Sequence, residues 1–196
     1  MKPDLTQKVT VEDLDAEWEK NQWVYFWRLR HHYLLVAEYL SGKVLDIGCG
    51  PGYLAAFVKP NAHWYWGIDI SPEAIRQAQI LFPESHFLTG DVESEPLPYG
   101  DNEFDTVVVS EVFEHLEDHA PLIKEVRRVT KEFVVVTTPI SMGGVGHIWP
   151  RWRYSNILHL AQRLGHVIEI RRAFEIRTNL AYVRTNGHPK PMEFYE

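Results

Sequence analysis

The stretch from Val44 to Leu54, VLDIGCGPGYL, decides the fold of this chain. Apolar residues flank Asp46 at the spacing of a β-strand, and a Gly-x-Gly-x-Gly turn follows at once at positions 48, 50 and 52. Glycine permits positive φ angles and leaves no side chain between the backbone and a ligand. A parallel strand that runs through such a turn into a helix is typical of the nucleotide-binding corner of a doubly wound sheet.

Two features of this corner argue against a dinucleotide site. The dinucleotide fingerprint has glycine at its sixth position, where this chain has Tyr53. Asp46 lies within the strand itself, and a site for the negatively charged pyrophosphate gains nothing from an anionic side chain there. A carboxylate at that position suits a cationic or hydrogen-bond-donating ligand better.

The rest of the chain alternates strands with helices, which predicts a parallel sheet covered on both faces. Strands are expected at 43–47, 63–70, 85–88, 104–110 and 133–137, and helices at 52–59, 72–82, 120–129 and 154–164. Two last strands, 167–173 and 178–184, are expected to form an antiparallel hairpin. The predicted fold is α/β: a doubly wound, seven-stranded, mostly parallel sheet with an antiparallel C-terminal strand.

Length and composition limit the function. With 196 residues, the chain suits one structural domain: an aromatic-rich helical cap over 1–40, the main domain over 41–184 and a tail over 185–196. No apolar run approaches the roughly 18 residues of a membrane span. Cys49 is the only cysteine, and no signal-peptide pattern is seen, so a cytoplasmic location is expected. The net charge of −7, with dispersed basic residues, disfavours a nucleic-acid partner. Oligomeric state stays open.

The segment from Val44 to Leu54 resembles the first motif of the class I S-adenosylmethionine-dependent methyltransferases, which have a Rossmann-like fold. The resemblance continues at intervals to about Pro139, and it is greatest for the small-molecule, type 11 branch that includes quinone-biosynthesis methyltransferases. A second strong match runs from Leu97 through the predicted fourth strand and ends with the residues SEVFEHL, 110–116. The resemblance implies S-adenosylmethionine as cofactor and S-adenosylhomocysteine as product.

The resemblance also implies which residues hold the cofactor. Asp46 and the glycine turn would hold its amino-acid half, and Asp69 would accept hydrogen bonds from the ribose hydroxyls, although an acid there also fits NAD. Ile70 would lie against the adenine, whose edge Asp91 and Val92 would contact. The complete cofactor-binding set is Arg30, Asp46, Gly48, Cys49, Gly50, Gly52, Tyr53, Asp69, Ile70, Asp91, Val92, Ser110, Glu111 and Val112.

Two parts of that set carry specific expectations. The backbone of Ser110, Glu111 and Val112 would run past the methionine part of the cofactor. Arg30, at its spacing before the glycine turn, would pair with the cofactor carboxylate, a bidentate role that suits a guanidinium. The alternative for Arg30, a solvated arginine on a helix, is equally open.

The predictions for the acceptor side of the site depend mainly on two histidines. Phe113 and His115 are expected to face the substrate, and His147 lies in a glycine-rich loop, residues 141–149, that could close over it. His147 or His115 could take a proton from an acceptor hydroxyl or amine. Alternatively, Glu111, Glu114, His115 and His147 could bind a divalent metal ion. In the other interpretation Glu114 and His115 cap or pair within their own loop, so a metal stays open.

The predicted function is transfer of a methyl group to an oxygen or nitrogen atom of a small-molecule acceptor. Two alternatives remain. An NAD-dependent oxidoreductase is disfavoured by Tyr53 in the glycine turn. A cofactor-binding protein without methyl transfer of its own would carry the same motifs, because binding and turnover use different residues.

Overall fold

One sheet organises the chain, in a computed structural model that describes residues 10–12, 15–16, 29–58, 64–140, 154–173 and 178–185. Its strands are β1 (Lys43–Ile47), β2 (Trp64–Asp69), β3 (His86–Thr89), β4 (Phe104–Ser110), β5 (Thr130–Pro139), β6 (His166–Ala173) and β7 (Thr178–Arg184). The strand bounds agree with the predicted ones to within three residues, and those of β1, β4 and β7 coincide with them.

The strand order is β3-β2-β1-β4-β5-β7-β6. Strands β1 to β5 run parallel to one another, and β7 inserts between β5 and β6, antiparallel to both. The order changes direction between β1 and β4, and in doubly wound sheets ligands bind at that point, beyond the carboxyl ends of the strands. The prediction of a seven-stranded sheet with an antiparallel C-terminal strand is confirmed.

Helices cover both faces of this sheet. They are α1, described over 29–37, α2 (Pro72–Leu81), α3 (Ala120–Val129) and α4 (Tyr154–Leu164). On one face, Val36 of α1 belongs to the same apolar core as Val44 and Val108. On the other face, α3 and α4 contribute to a larger core that contains Leu45 and Val107. Because successive side chains of a strand point to opposite faces of the sheet, β1 and β4 contribute residues to both cores.

The segment after the glycine turn differs from the prediction. A helix is predicted over 52–59, whereas the structure has only a short 3-10 helix, Tyr53–Phe57. Gly52 precedes it with a φ of 72° and offers no side chain that could accept a hydrogen bond from the first turn. An uncapped start of this kind favours a short, tight turn, which leaves Tyr53 and Leu54 buried against the sheet.

The start of α2 agrees with the prediction in detail. The Ser71 hydroxyl accepts a hydrogen bond from Ala74 N at 3.0 Å, and Pro72 is the first helical residue. Asp15, from the N-terminal segment, accepts further hydrogen bonds from the Ser71 hydroxyl and from Glu73 N. The N-terminal segment therefore reaches the end of β2, at the edge of the sheet that carries the glycine turn.

Within the predicted N-terminal cap over 1–40, residues 11–12, 15–16 and 29–37 are helical, whereas residues 38–40 are not. Apart from Thr185, the predicted tail lies outside the described residues. In the part of the chain that the structure describes, no helix has the length and apolar character needed to cross a membrane.

Candidate active site

The turn after β1 is held against the end of β2 and the segment after β4. Gly48 N and Cys49 N both donate to the carbonyl oxygen of Ile68, at 2.8 and 3.1 Å. Gly48 has a φ of 73°, and a Cβ atom there would lie 2.4 Å from Cγ2 of Val112. The turn therefore requires glycine at position 48. It also brings three of the predicted cofactor-binding residues together: Gly48, Cys49 and Val112.

Cys49 acts as a packing residue within this turn. Its side chain is buried, and a Cβ atom on Gly67 would lie 2.6 Å from its sulfur. Burial raises the pKa of the thiol well above its usual value, and the charges of Asp69 and Asp46 act in the same direction. Because the thiolate is the reactive form, a thiol held protonated is a poor nucleophile.

Asp46 lies at this edge with one oxygen uncommitted. Its side chain is 3% exposed, and the Tyr65 hydroxyl donates a hydrogen bond to Oδ2. Oδ1 has no hydrogen-bond partner among the described residues. Burial raises the pKa of Asp46 to about 7, although the hydrogen bond from Tyr65 opposes the shift. A buried acceptor without a donor is unfavourable, so a donor supplied by a ligand would stabilise this site.

Both oxygens of Asp69 already accept backbone hydrogen bonds. Gly50 N donates to Oδ2 at 2.8 Å, and Ser71 N donates to Oδ1 at 2.9 Å. Burial raises the pKa of Asp69, and these two hydrogen bonds oppose the shift. The carboxylate ties the glycine turn to the start of α2. Since a carboxylate oxygen can accept more than one hydrogen bond, Asp69 retains capacity for the predicted ribose contact.

The predicted adenine-binding residues lie in the turns after β2 and β3. Asp91 accepts hydrogen bonds from Glu93 N at 3.0 Å and from the Ser94 hydroxyl at 2.8 Å, so its carboxylate stabilises its own turn. Val92 packs against the larger core, and Ile70 is 36% exposed. Asp69 is hydrogen-bonded to Gly90 through the backbone, which places the two turns side by side. Their roles toward adenine stay predictions.

Tyr33 covers the glycine turn from α1, a position that the sequence analysis did not assign. Its ring stacks on Phe57 with centroids 5.9 Å apart and meets Tyr53 edge-on at 6.4 Å. Burial raises the pKa of the Tyr33 hydroxyl, and the charges of Asp46 and Glu111 add to the shift. Its two ring contacts therefore tie α1 to the segment that follows the glycine turn.

Arg30 lies one helical turn before Tyr33, in the described part of α1. Residues three apart are neighbours on one face of a helix, so both belong to the side of α1 that carries Tyr33 toward the glycine turn. The structure thus brings Arg30 to the predicted side of the site. Its pairing with a cofactor carboxylate stays a prediction.

A buried histidine, also missed by the sequence analysis, fastens α1 to the ends of β4 and β5. Nε2 of His32 lies 2.7 Å from the Ser110 hydroxyl, which is itself 2.9 Å from the Thr137 hydroxyl. Burial lowers the pKa of His32 to about 4, so the ring is neutral at physiological pH. The side chain of Ser110 is therefore engaged with α1 and β5, and the predicted role of its backbone toward the cofactor stays a prediction.

Two carboxyl groups meet just beyond β4. Glu111 has a φ of 56°, its N–H donates to Thr137 O at 3.2 Å, and its Oε1 accepts a hydrogen bond from the Thr178 hydroxyl at 2.8 Å. Glu114 is fully buried, and neither of its oxygens has a hydrogen-bond partner among the described residues. Burial raises the pKa of Glu111 to about 7. Burial, with the charge of Glu111, raises the pKa of Glu114 well above its usual value.

The residues predicted to lie on the substrate side, next to this pair, differ in where the structure places them. Phe113 is fully buried in the core beneath α3, with its ring 5.3 Å from that of His119, so the expectation that it faces the substrate is wrong. It begins the 3-10 turn Phe113–His115, which directs it into the core. His115 ends that turn half-buried. His147 lies outside the described residues.

The described residues contain no group of three or more side chains that could together hold a metal ion. Within the predicted metal set, Glu111 and Glu114 do lie together. Because His147 is outside the described residues, the complete set stays a prediction.

The geometry defines a class. The sheet is doubly wound and has an antiparallel seventh strand. A glycine turn follows β1, and acidic residues lie in β1 and at the end of β2. Together these features form a nucleoside-binding edge of the Rossmann-like type. Residues 45–135 match the type 11 methyltransferase domain family. The chain belongs to the class I S-adenosylmethionine-dependent methyltransferases, as the sequence motifs predicted.

Curated relatives agree with this assignment. A probable S-adenosylmethionine-dependent methyltransferase of Mycobacterium tuberculosis is 30% identical over 140 residues, which are 69% of this chain and 48% of that protein. A malonyl-[acyl-carrier protein] O-methyltransferase of Erwinia pyrifoliae is 27% identical over 112 residues, 57% of this chain and 42% of that one. The chain thus spans about half the length of the curated relatives it matches, or somewhat less.

Solved structures share the fold. A putative methyltransferase of Haloferax volcanii, solved in complex with the Trm112 methyltransferase activator, superposes with a TM-score of 0.72. The match covers 89% of this chain and 98% of that one, at 19% identity.

Proposed function

We propose that this protein transfers a methyl group from S-adenosylmethionine to an oxygen or nitrogen atom of a small-molecule acceptor. The observation that carries the cofactor assignment is Asp46: a buried carboxylate with one oxygen held by Tyr65 and the other without a partner among the described residues. The ammonium group of the cofactor would supply the missing donor and the opposite charge.

The remaining groups fit the rest of such a cofactor. The glycine turn allows close backbone approach at Gly48, Asp69 retains capacity for two hydroxyl donors, and Asp91 and Val92 lie in the adjoining turn. Arg30 would hold the carboxylate of the cofactor.

When bound, S-adenosylmethionine supplies a methyl group already activated by its sulfonium. The protein therefore has to align the acceptor and accept a proton if the attacking atom carries one. His147 and His115 remain the candidates for that proton. The single buried thiol, Cys49, is compatible with the proposed cytoplasmic location.

An NAD-dependent oxidoreductase is the weaker alternative. The Tyr-x-x-x-Lys spacing of short-chain dehydrogenases occurs at Tyr39 and Lys43. However, Lys43 begins β1, at the opposite end from the glycine turn, and its Nζ pairs with Glu103 at 2.6 Å. This pair is therefore too far from the proposed cofactor edge to take part in chemistry there.

Calorimetric titration with S-adenosylhomocysteine tests the cofactor, with NAD as the competing ligand. We expect micromolar binding of S-adenosylhomocysteine alone. Asp46→Asn keeps the shape of the side chain but removes its charge, and should weaken binding by about tenfold or more. The exposed carboxylate variant Asp101→Asn is the matched control and should bind normally. Binding of NAD alone would overturn the proposal.

Turnover over a panel of small acceptors then separates an enzyme from a protein that only binds the cofactor. Formation of S-adenosylhomocysteine that depends on one acceptor class would support methyl transfer. Tight cofactor binding without turnover on any acceptor would favour the binding protein.

A further inference from the structure

The two carboxyl groups after β4 form a largely buried pair whose side chains the cofactor contacts proposed above do not use. Glu114 is fully buried, and both of its oxygens lack a hydrogen-bond partner among the described residues. Glu111 lies beside it, half-buried, and its Oε1 accepts a hydrogen bond from the Thr178 hydroxyl at 2.8 Å. Native proteins rarely leave two oxygens of one buried carboxyl unsatisfied, so this arrangement calls for a further partner.

The described part of the chain offers no positive charge to this pair. The described groups that act on the two carboxyls are each other, hydroxyls from Thr137 and Thr178, and backbone. Basic side chains of the described residues form ion pairs elsewhere, as Lys43 does with Glu103 and Arg128 with Glu125. Two neighbouring carboxyls that cannot both ionise are stabilised by a cation or by a donor of hydrogen bonds.

The backbone holds Glu111 in place at some energetic cost. Its φ of 56° is unusual for a residue with a side chain, and Glu111 N is fastened to Thr137 O of β5. Val112, between the two acids in the chain, lies against Gly48 of the glycine turn, where an added Cβ would be 2.4 Å from its Cγ2, so the carboxyl pair follows a segment that packs on the proposed methionine end of the cofactor. A group bound to the pair would therefore lie near the transferable methyl group.

We propose that Glu111 and Glu114 bind a protonated nitrogen, such as an alkylammonium group, of the methyl acceptor. The inference rests on the proposed function and narrows its substrate class. The nitrogen is held by charge and hydrogen bonds, with Glu111 as the accessible acceptor and Glu114 as the buried one behind it. No covalent step occurs at this nitrogen, which keeps its proton.

The same pair disfavours a negatively charged acceptor. The Erwinia pyrifoliae relative is named for methylation of a malonyl group on acyl-carrier protein. A free carboxylate placed beside Glu111 and Glu114 would meet like charge in a poorly solvated position. An acidic acceptor of that kind therefore does not fit this end of the site.

The test uses the full chain saturated with S-adenosylhomocysteine and three probes of one skeleton. They are phenethylammonium, the neutral 2-phenylethanol and the anionic 3-phenylpropionate, titrated by calorimetry or by NMR. We expect phenethylammonium to bind about tenfold or more tightly than either of the others, a difference of about 1.4 kcal/mol. Glu111→Gln and Glu114→Gln, which preserve shape, should each remove this preference.

Control measurements distinguish failure of this proposal from failure of the proposed function and from misfolding of a variant. The exposed Glu84, in the turn between α2 and β3, supplies the matched control Glu84→Gln, which should keep the preference. S-adenosylhomocysteine binding is measured first, so its loss in the wild type would overturn the proposed function before any probe is added. Intact S-adenosylhomocysteine binding by Glu114→Gln shows that this variant is folded.

Two results would overturn the ammonium assignment itself. One is equal affinity of the wild-type complex for the three probes. The other is stoichiometric binding of Mg²⁺ or Mn²⁺ that is lost in Glu114→Gln and that displaces phenethylammonium, because the pair would then be a metal site.

Discussion

Asp69 and Glu114 are both acidic residues at the same edge of one sheet, yet their surroundings are opposite. Each oxygen of Asp69 accepts a backbone N–H, from Gly50 and Ser71. Neither oxygen of Glu114 has a hydrogen-bond partner among the described residues by geometry, and the charge that acts on it is that of another carboxyl, Glu111. The difference arises because Asp69 ends a strand where a glycine turn and a helix start converge, whereas Glu114 lies in a short turn.

The contrast separates two ways of building a site. At the end of β2 the protein supplies the hydrogen bonds itself, so the nucleoside end is preorganised before any ligand arrives. After β4 the oxygens of Glu114 lack such partners among the described residues, and in our proposal the bound acceptor supplies them, which would give selectivity at a cost in stability. Mutations at the first end should therefore damage fold and binding together, and mutations at the second should separate them.

The largest effect is expected for Gly48→Val. The φ of 73° is unfavourable for a β-branched residue, and the added Cβ would meet Cγ2 of Val112 at 2.4 Å. We expect a loss of roughly 2–4 kcal/mol in the free energy of unfolding and loss of measurable S-adenosylhomocysteine binding. Gly100→Ala is the control, because its Cβ would meet only Oε2 of Glu103, at 3.5 Å, and both quantities should stay near wild type.

Asp69→Ala comes next, and it should affect more than the ribose contact. Substitution leaves Gly50 N and Ser71 N without their acceptor, so we expect a loss of about 2–3 kcal/mol in the free energy of unfolding together with loss of cofactor binding. Urea unfolding and calorimetry measure the two effects. Loss of binding with a free energy of unfolding within about 0.5 kcal/mol of wild type would show that Asp69 contacts the ribose without supporting the fold.

Whether a part of this site can be predicted from the sequence depends on how far apart in the chain its contacting residues lie. β4 and the glycine turn are recognisable locally, because a buried apolar run and a Gly-x-Gly-x-Gly turn are written in consecutive residues. His32 is not, since its hydrogen bond joins residues 78 apart in the chain. Nothing in the local pattern distinguishes it from His31, its exposed neighbour.

The same reason explains the other omissions. Tyr65 reaches Asp46 across two neighbouring strands, and Thr178 reaches Glu111 across 67 residues. Such contacts depend on strand order and register, which a single sequence does not specify. The 3-10 helix Tyr53–Phe57 was mispredicted for a local reason, because the glycine before it cannot cap a longer helix.

Glu111→Gln should show how much the buried acids lower the free energy of unfolding, and how this loss depends on pH. The pKa of Glu111 is raised to about 7 by burial, so the folded protein keeps a proton that the unfolded chain releases. The contribution of this proton to the free energy of unfolding is fully present at low pH and is lost as the pH rises from about 4.5 through 7. We therefore expect Glu111→Gln to exceed wild type by roughly 1–3 kcal/mol at pH 8 and to match it near pH 5.

Comparing variant with wild type at each pH isolates this effect. His32, whose pKa is lowered to about 4, changes stability in the opposite direction between about pH 4 and 6.5, but it does so equally in both proteins. Glu84→Gln should follow the wild type at every pH. A Glu111→Gln variant that is less stable than wild type at pH 8 would show that the Thr178 contact outweighs the buried charge.

The smallest effect is expected for Tyr65→Phe, which makes Asp46 resemble Glu114. Removing the hydroxyl leaves both oxygens of Asp46 without a partner among the described residues and raises its pKa further above about 7. More of the carboxyl is then protonated at neutral pH, so S-adenosylhomocysteine binding should weaken by roughly threefold to tenfold at pH 7 and recover toward pH 9. Tyr182→Phe, on β7 against Phe133, is the control and should show no pH-dependent change. If Tyr65→Phe bound equally well at both pH values, Asp46 would not be the group that recognises the ammonium of the cofactor.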